Sequence, residues 1–328
     1  RNTIVIESHN DFDCNGGSIY DYLVAHDYNS RYKIVWLLKN KVKNRLPQNV
    51  YTFNIWKPSL RKTWEIATAR VLFSDDVITE KMKEDQISVY CTHGGCTFKN
   101  VKGKIIVPEH VDYILSASKN YDPLMCENYS IPFPNKRMLH FGFPSNDVFF
   151  EKTEHEIEKF TERKYKKVVL WMPTFRKTKA DFNRNDSIDE QPLGIPLFSK
   201  NEELKELNEI LEEYQCLLVI KIHPMQDPLS YADLKSFSNI IVLDANATKE
   251  YGVDNYRLMK DSDALISDYS SATYSYLLLN RPVGFVLEDI NSYKVGLLVS
   301  NYKDYMPGNI INRRDEFVSF IKQICMGK

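Results

Sequence analysis

Short unbroken apolar runs recur along the chain, each closed by a polar cluster. Thr3–Glu7 (TIVIE), Lys33–Leu38 (KIVWLL), Val71–Phe73, Ile87–Cys91 (ISVYC) and Tyr113–Ser116 form a first series. Lys167–Trp171 (KVVLW), Cys216–Ile222 (CLLVIKI), Ile240–Leu243, Ala264–Ser267 and Val283–Leu287 form a second. Runs of this kind are those of parallel strands buried on both faces. Helical spacing fills the gaps between them. Ile19 and Leu23 repeat within Ser18–His26, and Leu60, Trp64 and Ala67 share one face of a helix reaching Ala69. Leu204, Leu207, Leu211 and Tyr214 make one stripe on an acidic helix. Arg257–Lys260, Ala272–Leu279 (ended near Asn280-Arg281-Pro282) and an amphipathic Glu316–Cys325 follow. The alternation predicts an α/β fold of parallel sheets with helices on their faces. The charged stretch Glu151–Lys167 separates the two series, so the expectation is two Rossmann-like domains, residues 1–150 and 151–328, facing across a cleft.

Composition changes this picture little. At 328 residues the chain is large for one core, and 43% hydrophobic with 27% charged residues is ordinary for a globular protein. A net charge of −1 argues against a dedicated nucleic-acid binder. The charge is unevenly spread, however. From Arg31 to Arg70 ten Lys and Arg face one acid, Glu65, and three of the four tryptophans (Trp36, Trp56, Trp64) fall there. Two readings fit: a solvated basic face over a tryptophan core, or a surface for an anionic acceptor or anionic lipid headgroups. Trp36 in a strand and Trp64 on an apolar helix face are expected in the core, which leaves any attachment electrostatic. The six cysteines show no CxxC pair. Cys91 and Cys216, in or beside apolar runs, read as small hydrophobes in a reducing compartment. No apolar run is long enough to span a membrane. The sequence starts at Arg1-Asn2 directly before a strand, which leaves room for an N-terminal anchor ahead of it.

The polar residues that follow strands carry the candidate chemistry, because ligands of parallel α/β sheets gather at strand C-termini. His93-Gly94-Gly95 follows Ile87–Cys91. An imidazole there is either a hydrogen-bonded loop residue or a base, and the glycines permit close approach to the backbone. Arg176 follows Lys167–Trp171, and Lys221 and His223 close Cys216–Ile222. Asp268, Ser270, Ser271 and Thr273 lie between Ala264–Ser267 and the next helix. A helix start with free N–H groups and hydroxyls binds phosphate, or the serines serve only as a cap. Arg and helix termini suit a pyrophosphate. No HExxH, GxxxxGK[ST] or GxGxxG occurs, so zinc-protease and P-loop chemistry lack support, and no metal or cofactor is expected.

In this order the blocks resemble the CDP-glycerol glycerophosphotransferases of teichoic acid and capsule synthesis. They are Glu7-Ser8, Asn15-Gly16-Gly17, Lys33-Ile34-Val35-Trp36, His93-Gly94, Gly142-Phe143-Pro144-Ser145-Asn146-Asp147 and Trp171-Met172-Pro173-Thr174-Phe175-Arg176. Lys221-Ile222-His223-Pro224, Asp268-Tyr269-Ser270-Ser271, Arg281-Pro282 and Met306-Pro307-Gly308 complete them. The resemblance implies a GT-B fold and transfer of an alditol phosphate from CDP-glycerol or CDP-ribitol to a lipid-linked or polymeric acceptor. The place implied is the cytoplasm, at the anionic inner face of a bacterial membrane. It makes His93 the base and His223 a second essential imidazole. Donor phosphate falls to Arg176, Lys221, Asp268, Ser270, Ser271 and Thr273, and the acceptor side to Gly94, Gly95, Lys99, Asn146 and Asp147. Departures from the family pattern are Thr92 before His93, Ser145 where the family has Arg, and Val295-Gly296 where it has Arg-Gly. The alternatives are a GT-B glycosyltransferase using a nucleotide sugar, a CDP-ribitol-specific enzyme, and a polymer-binding module without turnover.

Overall fold

The computed structural model describes residues 2–41, 45–92, 98–152, 155–178, 186 and 191–327. Among these residues the first sheet contains β1 (Thr3–Glu7), β2 (Lys33–Leu38), β3 (Val50–Asn54), β4 (Val71–Ser74), β5 (Ile87–Tyr90), β6 (Tyr113–Leu115) and β7 (Met138–Leu139). Helices α1 (Cys14–Ala25), α2 (Tyr28–Arg31), α3 (Leu60–Thr68) and α4 (Asp122–Asn128) lie between its strands. The second sheet contains β8 (Lys167–Trp171), β9 (Cys216–Lys221), β10 (Ile240–Leu243), β11 (Ala264–Ser267), β12 (Val283–Val286) and β13 (Asn309–Ile311). Its helices are α5 (Asn201–Glu213), α6 (Ala245–Glu250), α7 (Asn255–Asp261), α8 (Ala272–Tyr276) and α9 (Arg314–Cys325). The strand orders are β3-β2-β1-β4-β5-β6-β7 and β10-β9-β8-β11-β12-β13, with parallel pairing throughout. In each, the order reverses beside the first strand of the series, at β1/β4 and at β8/β11.

The chain divides into two compact units, Arg1–Cys96 with Val101–Asp147, and Thr97–Asn100 with Val148–Lys328. Residues 98–100 count with the second because Asn100 N–H donates to Gly296 O at 3.0 Å and the Phe98 ring meets Tyr274 edge-on. The boundary thus falls at Asp147/Val148.

Each unit has the apolar layers that its strand pattern demands. In the first, Ile4, Ile6, Ile34 and Trp36 pack under α1 with Tyr20, and Val5, Val35 and Leu72 fill the opposite face. In the second, Leu204, Leu207 and Leu211 of α5 and Phe317, Phe320, Ile321 and Ile324 of α9 bury Trp171 and Ile220. Polar caps start the helices: Ser59 accepts from Lys62 N–H, Asp244 from Ala247 N–H and Asp254 from Arg257 N–H. Asn280, left-handed at φ 52°, closes the turn that follows α8.

Two expectations are corrected. The α3 stripe faces outward: Leu60 is 93% exposed, Trp64 68% and the nearby Trp56 65%. The buried side of α3 is Glu65, whose carboxylate takes Lys33 Nζ at 2.9 and 3.1 Å. That ion pair fixes the rotation of a nine-residue helix with few apolar positions. Trp36 alone of the three is in the core, fully buried. Cys216 is not a lone small hydrophobe, since it is paired with Cys325 in a disulfide across 109 residues, joining β9 to α9. A separation of that size leaves no local spacing to read. No helix among the described residues is long and apolar enough to cross a membrane.

The burial contrast is testable by urea denaturation. Trp36→Ala should cost about 3–5 kcal/mol, whereas Trp64→Ala should stay within about 0.5 kcal/mol of wild type. Comparable losses would place Trp64 back in the core.

Candidate functional site

In the second unit the loops leaving β8 and β11 diverge at the reversal of strand order, the position where open parallel sheets take ligands. One side chain ties these loops together. Asp268 accepts Thr174 N–H (3.0 and 3.1 Å to its two oxygens), Thr174 Oγ1 (2.5 Å), its neighbour Tyr269 N–H (2.7 Å) and Arg176 Nη2 (2.9 Å). Asp289, just beyond β12, accepts Arg176 Nε at 2.5 Å, Nη2 at 3.1 Å and the Tyr269 hydroxyl at 2.9 Å. Arg176 Nη1 donates to Thr174 O at 2.6 Å. The guanidinium also lies 5.1 and 5.2 Å from the rings of Tyr269 and Tyr293, which stack on each other at 4.1 Å. Burial by itself would lower the Arg176 pKa, but Asp268 and Asp289 outweigh it and hold the charge more firmly than usual. Burial, then Asp289 and Asp268, push the Tyr269 hydroxyl up.

This geometry gives Arg176 and Asp268 partners inside the protein. Arg176 is buried, and four of the five N–H groups of a guanidinium are committed, to carboxylates 92 and 113 residues away and to Thr174 O. Asp268 is buried as well, and the two tie the surrounding loops together.

Beside them, Ser270 and Ser271 are half-buried at the start of α8. Ser270 Oγ accepts Ala272 N–H at 3.3 Å, so it does act as a local cap, while the Ser271 side chain makes no capping bond. Thr273 is fully buried, and its Oγ1 has no partner among the described residues. His223, at the end of β9, is exposed with its ring 4.7 Å from Phe175. Its Nδ1 accepts Met225 N–H at 3.0 Å. In the neutral ring the proton therefore sits on Nε2, which makes that nitrogen a donor. Lys221 is buried and gives its Nζ to Thr248 Oγ1 at 3.2 Å. Burial lowers its pKa to about 8, with Asp244 opposing the shift.

In the first unit, Cys91 and Thr92 are buried at the end of β5, directly before His93. His93, Gly94 and Gly95 lie outside the described residues. In the turn at 142–147, Ser145 and Asn146 are buried and Asp147 is exposed. Ser145 donates to Asn15 Oδ1 from both N (3.2 Å) and Oγ (2.9 Å), and Asn146 Oδ1 has no partner among the described residues. Lys99 departs from its expected place with the first domain. It forms an antiparallel bridge to Leu297 and counts with the second unit.

Two further features carry no clear sequence signal. Asp289 becomes the second counter-ion of Arg176 only through the adjacency of β8, β11 and β12. His140 Nε2 sits 2.9 and 3.1 Å from the Asp122 carboxylate, which also accepts Ser116 Oγ at 2.7 Å. The strand that presents His140, β7, has two residues and leaves no pattern. Among the described residues no three His, Cys, Asp or Glu side chains come together as a metal site.

A family model described as CDP-glycerol:poly(glycerophosphate) glycerophosphotransferase matches residues 1–327. The chain is 24% identical over 351 residues to a teichoic acid poly(ribitol-phosphate) polymerase of Bacillus spizizenii, covering 98% of this chain and 51% of the relative. It is 28% identical over 217 residues to a teichoic acid glycerol-phosphate primase of Bacillus subtilis, covering 64% of this chain and 49% of the relative. The chain thus spans about half the length of these curated relatives. Among solved structures it shares the fold of the wall teichoic acid polymerase TagF, with TM-score 0.73 at 23% identity, over 99% of this chain and 81% of that one.

Lys221 supplies a pH test of the site. Below pH about 8 the folded protein holds a buried ammonium, whereas an ordinary lysine keeps its proton to 10.5. Between those values the unfolded state binds more protons, so stability rises with pH across that window. Lys221→Met should therefore be more stable than wild type at pH 7, with the advantage shrinking towards pH 10.5 in urea titrations. An advantage independent of pH would separate the cost of Lys221 from its charge.

Proposed function

Because the chain belongs to the CDP-glycerol:poly(glycerophosphate) glycerophosphotransferase family, we propose that it transfers an alditol phosphate from a CDP-alcohol to an acceptor hydroxyl and releases CMP. The observation that carries this reading is the family match across residues 1–327, with every block of the candidate site inside it. An acceptor oxygen loses its proton to His93 and attacks the phosphorus bearing the alditol, in line. The new P–O bond forms as the bond to the CMP oxygen breaks. Negative charge builds on the departing phosphate, where preorganised donors do most for the rate. His223 Nε2–H and the Lys221 ammonium can donate to it, as can the hydroxyls of Ser270, Ser271 and Thr273 around the start of α8. Arg176 and Asp268 act one step back by fixing the loops that carry these groups. Asn146, Asp147, Gly94 and Gly95 are assigned to the acceptor side, and no metal or other cofactor is required by this scheme.

The relatives carry both glycerol-phosphate and ribitol-phosphate names, so the decisive assay offers both donors. Incubation with CDP-glycerol or CDP-ribitol and a polyol-phosphate acceptor should release CMP. A nucleoside diphosphate from a nucleotide sugar would instead mark a glycosyltransferase. His93→Ala should lower turnover about 100-fold or more, the usual scale for a lost general base, with donor affinity nearly unchanged. Near wild-type turnover removes His93 from the mechanism.

A lipid-linked acceptor calls for contact with a membrane, in keeping with the inner-face location assigned to the family reading. The outward face of α3 fits that contact better than charge alone. Trp56, Leu60 and Trp64 are exposed together with Lys57 and Arg61. Lys62 is half-buried, with its Nζ held by the carbonyls of Asn54, Ile55 and Lys57. Indole rings favour the headgroup level and basic side chains an anionic surface. Sedimentation with anionic vesicles should fall at least tenfold in a Trp56→Ser, Leu60→Ser, Trp64→Ser variant and only partly in high salt. A triple variant that sediments like wild type places the contact elsewhere.

A further inference from the structure

The reversal of strand order in the first sheet, at β1/β4, is occupied by a buried polar knot that the scheme above does not use. Asn15 sits in the first turn of α1 with 5% of its surface exposed. α1 reaches this spot because Gly16 packs directly on the chain leaving β1, where an added Cβ would stand 2.8 Å from Ser8 Cβ. Every polar atom of the Asn15 side chain is engaged. Its Oδ1 accepts both donors of Ser145. Its Nδ2 reaches Asp75 Oδ1 at 3.1 Å, Cys91 O at 3.2 Å and Thr92 O at 3.1 Å.

The last two acceptors are the carbonyls that immediately precede His93. Thr92 is an unusual residue to find there. It is fully buried, its Oγ1 has no partner among the described residues, and its φ is +60°. A β-branched residue is a true outlier in the left-handed region. Such backbone costs on the order of 1–3 kcal/mol and persists only where the surroundings over-determine it. Asn15 supplies that constraint, holding the carbonyls on both sides of the Thr92 nitrogen and α-carbon.

Asp75 anchors Asn15 in turn. The Ser8 hydroxyl lies 2.6 Å from Asp13 O and 2.9 Å from Asp75 Oδ2 and is shared between these two acceptors. Burial raises the Asp75 pKa, against the opposing bonds from Asn15 and Ser8. Asp75 is completely buried.

We infer that Asn15 is a positioning residue for His93, acting through the carbonyls of Cys91 and Thr92 and anchored by Asp75. The inference rests on the functional reading above for the role of His93. A knot that serves only the fold would stabilise the unit without setting the direction of the chain into His93, and two measurements separate these cases.

The first is hydrogen exchange by mass spectrometry on the whole chain, which needs no substrate. Asn15→Ala should speed exchange of the peptide spanning Cys91 and Thr92 at least tenfold, with peptides of the second sheet unchanged. Asp75→Ala, which removes the acceptor for Asn15 Nδ2, should speed exchange of the same peptide. The second is kinetic. Asn15→Ala should lower kcat tenfold or more with the KM for the CDP-alcohol within twofold, and should add nothing in a His93→Ala background. Asn15→Asp, which keeps the volume and the acceptor for Ser145 but deletes both N–H donors, should behave alike if the alanine variant folds poorly. Unchanged exchange in Asn15→Ala overturns the inference, as does an equal fold loss of kcat in both backgrounds. Unchanged protection in Asp75→Ala overturns the anchoring by Asp75. Wild-type protein that releases no CMP from either donor defeats the functional reading instead, and the exchange arm still decides whether Asn15 positions this segment.

Discussion

The second unit is arranged around one guanidinium between two carboxylates. Arg176 reaches Asp268 at 2.9 Å and Asp289 at 2.5 Å in a setting almost closed to water. Ions so placed pay heavily for lost hydration, and the pairing offsets that cost only with close geometry and full hydrogen bonding. Both conditions are met here. Asp268 spends its remaining lone pairs on Thr174 and Tyr269, and Asp289 accepts the Tyr269 hydroxyl. Loss of any member would leave a buried charge uncompensated, at a cost of roughly 3–5 kcal/mol. The same bonds hold the loops after β8, β11 and β12 in one arrangement, so the groups beside them inherit their positions from this network.

The first unit solves the corresponding problem around an amide. Where the second sheet reverses order, an ion pair closes the gap. Where the first reverses order, Asn15 and Asp75 do so, with Ser8 and Ser145. Glu7 at the end of β1 is fully buried, accepts Asp75 and Asp76 N–H, and has its pKa raised by burial with those bonds opposing. Parallel strands aim their C-terminal carbonyls and side chains at one edge, so buried polar atoms accumulate there and must satisfy one another. The divergence between units follows from which residues end the strands: an Arg facing two acids in one, an Asn facing acids and carbonyls in the other.

How much of this was legible in the sequence depended on range. Thr3–Glu7, Lys33–Leu38 and Cys216–Lys221 announce themselves because a strand buried on both faces is apolar at every position. β7 and β13, of two and three residues, are too short for any period to form. The outward turn of α3 was hidden because the buried residue is Glu65, and its partner Lys33 lies 32 residues back on another element. Long range also explains Arg176. Its placement after β8 was readable from Lys167–Trp171, but its inward orientation depends on Asp268 and Asp289, brought beside it by strand order. A strand-end Arg reads as a ligand clamp until the acids that claim it are known.

The two imidazoles of the proposed reaction are not interchangeable, and local geometry says which duty suits His223. Its Nδ1 is occupied by the N–H of Met225, two residues on, in a turn fixed by Pro224 and by the bond from Gln226 N–H to His223 O. A ring locked in that tautomer presents Nε2–H and has no lone pair to spare for a hydroxyl proton. It can donate to an oxygen that gains charge, and it gains strength as that charge grows. Lys221, two residues earlier at the last position of β9, adds a cation whose lowered pKa of about 8 leaves it charged near neutrality while making it sensitive to the approach of an anion. In the proposed reaction the end of β9 is therefore suited to the departing phosphate and not to abstraction of the acceptor proton.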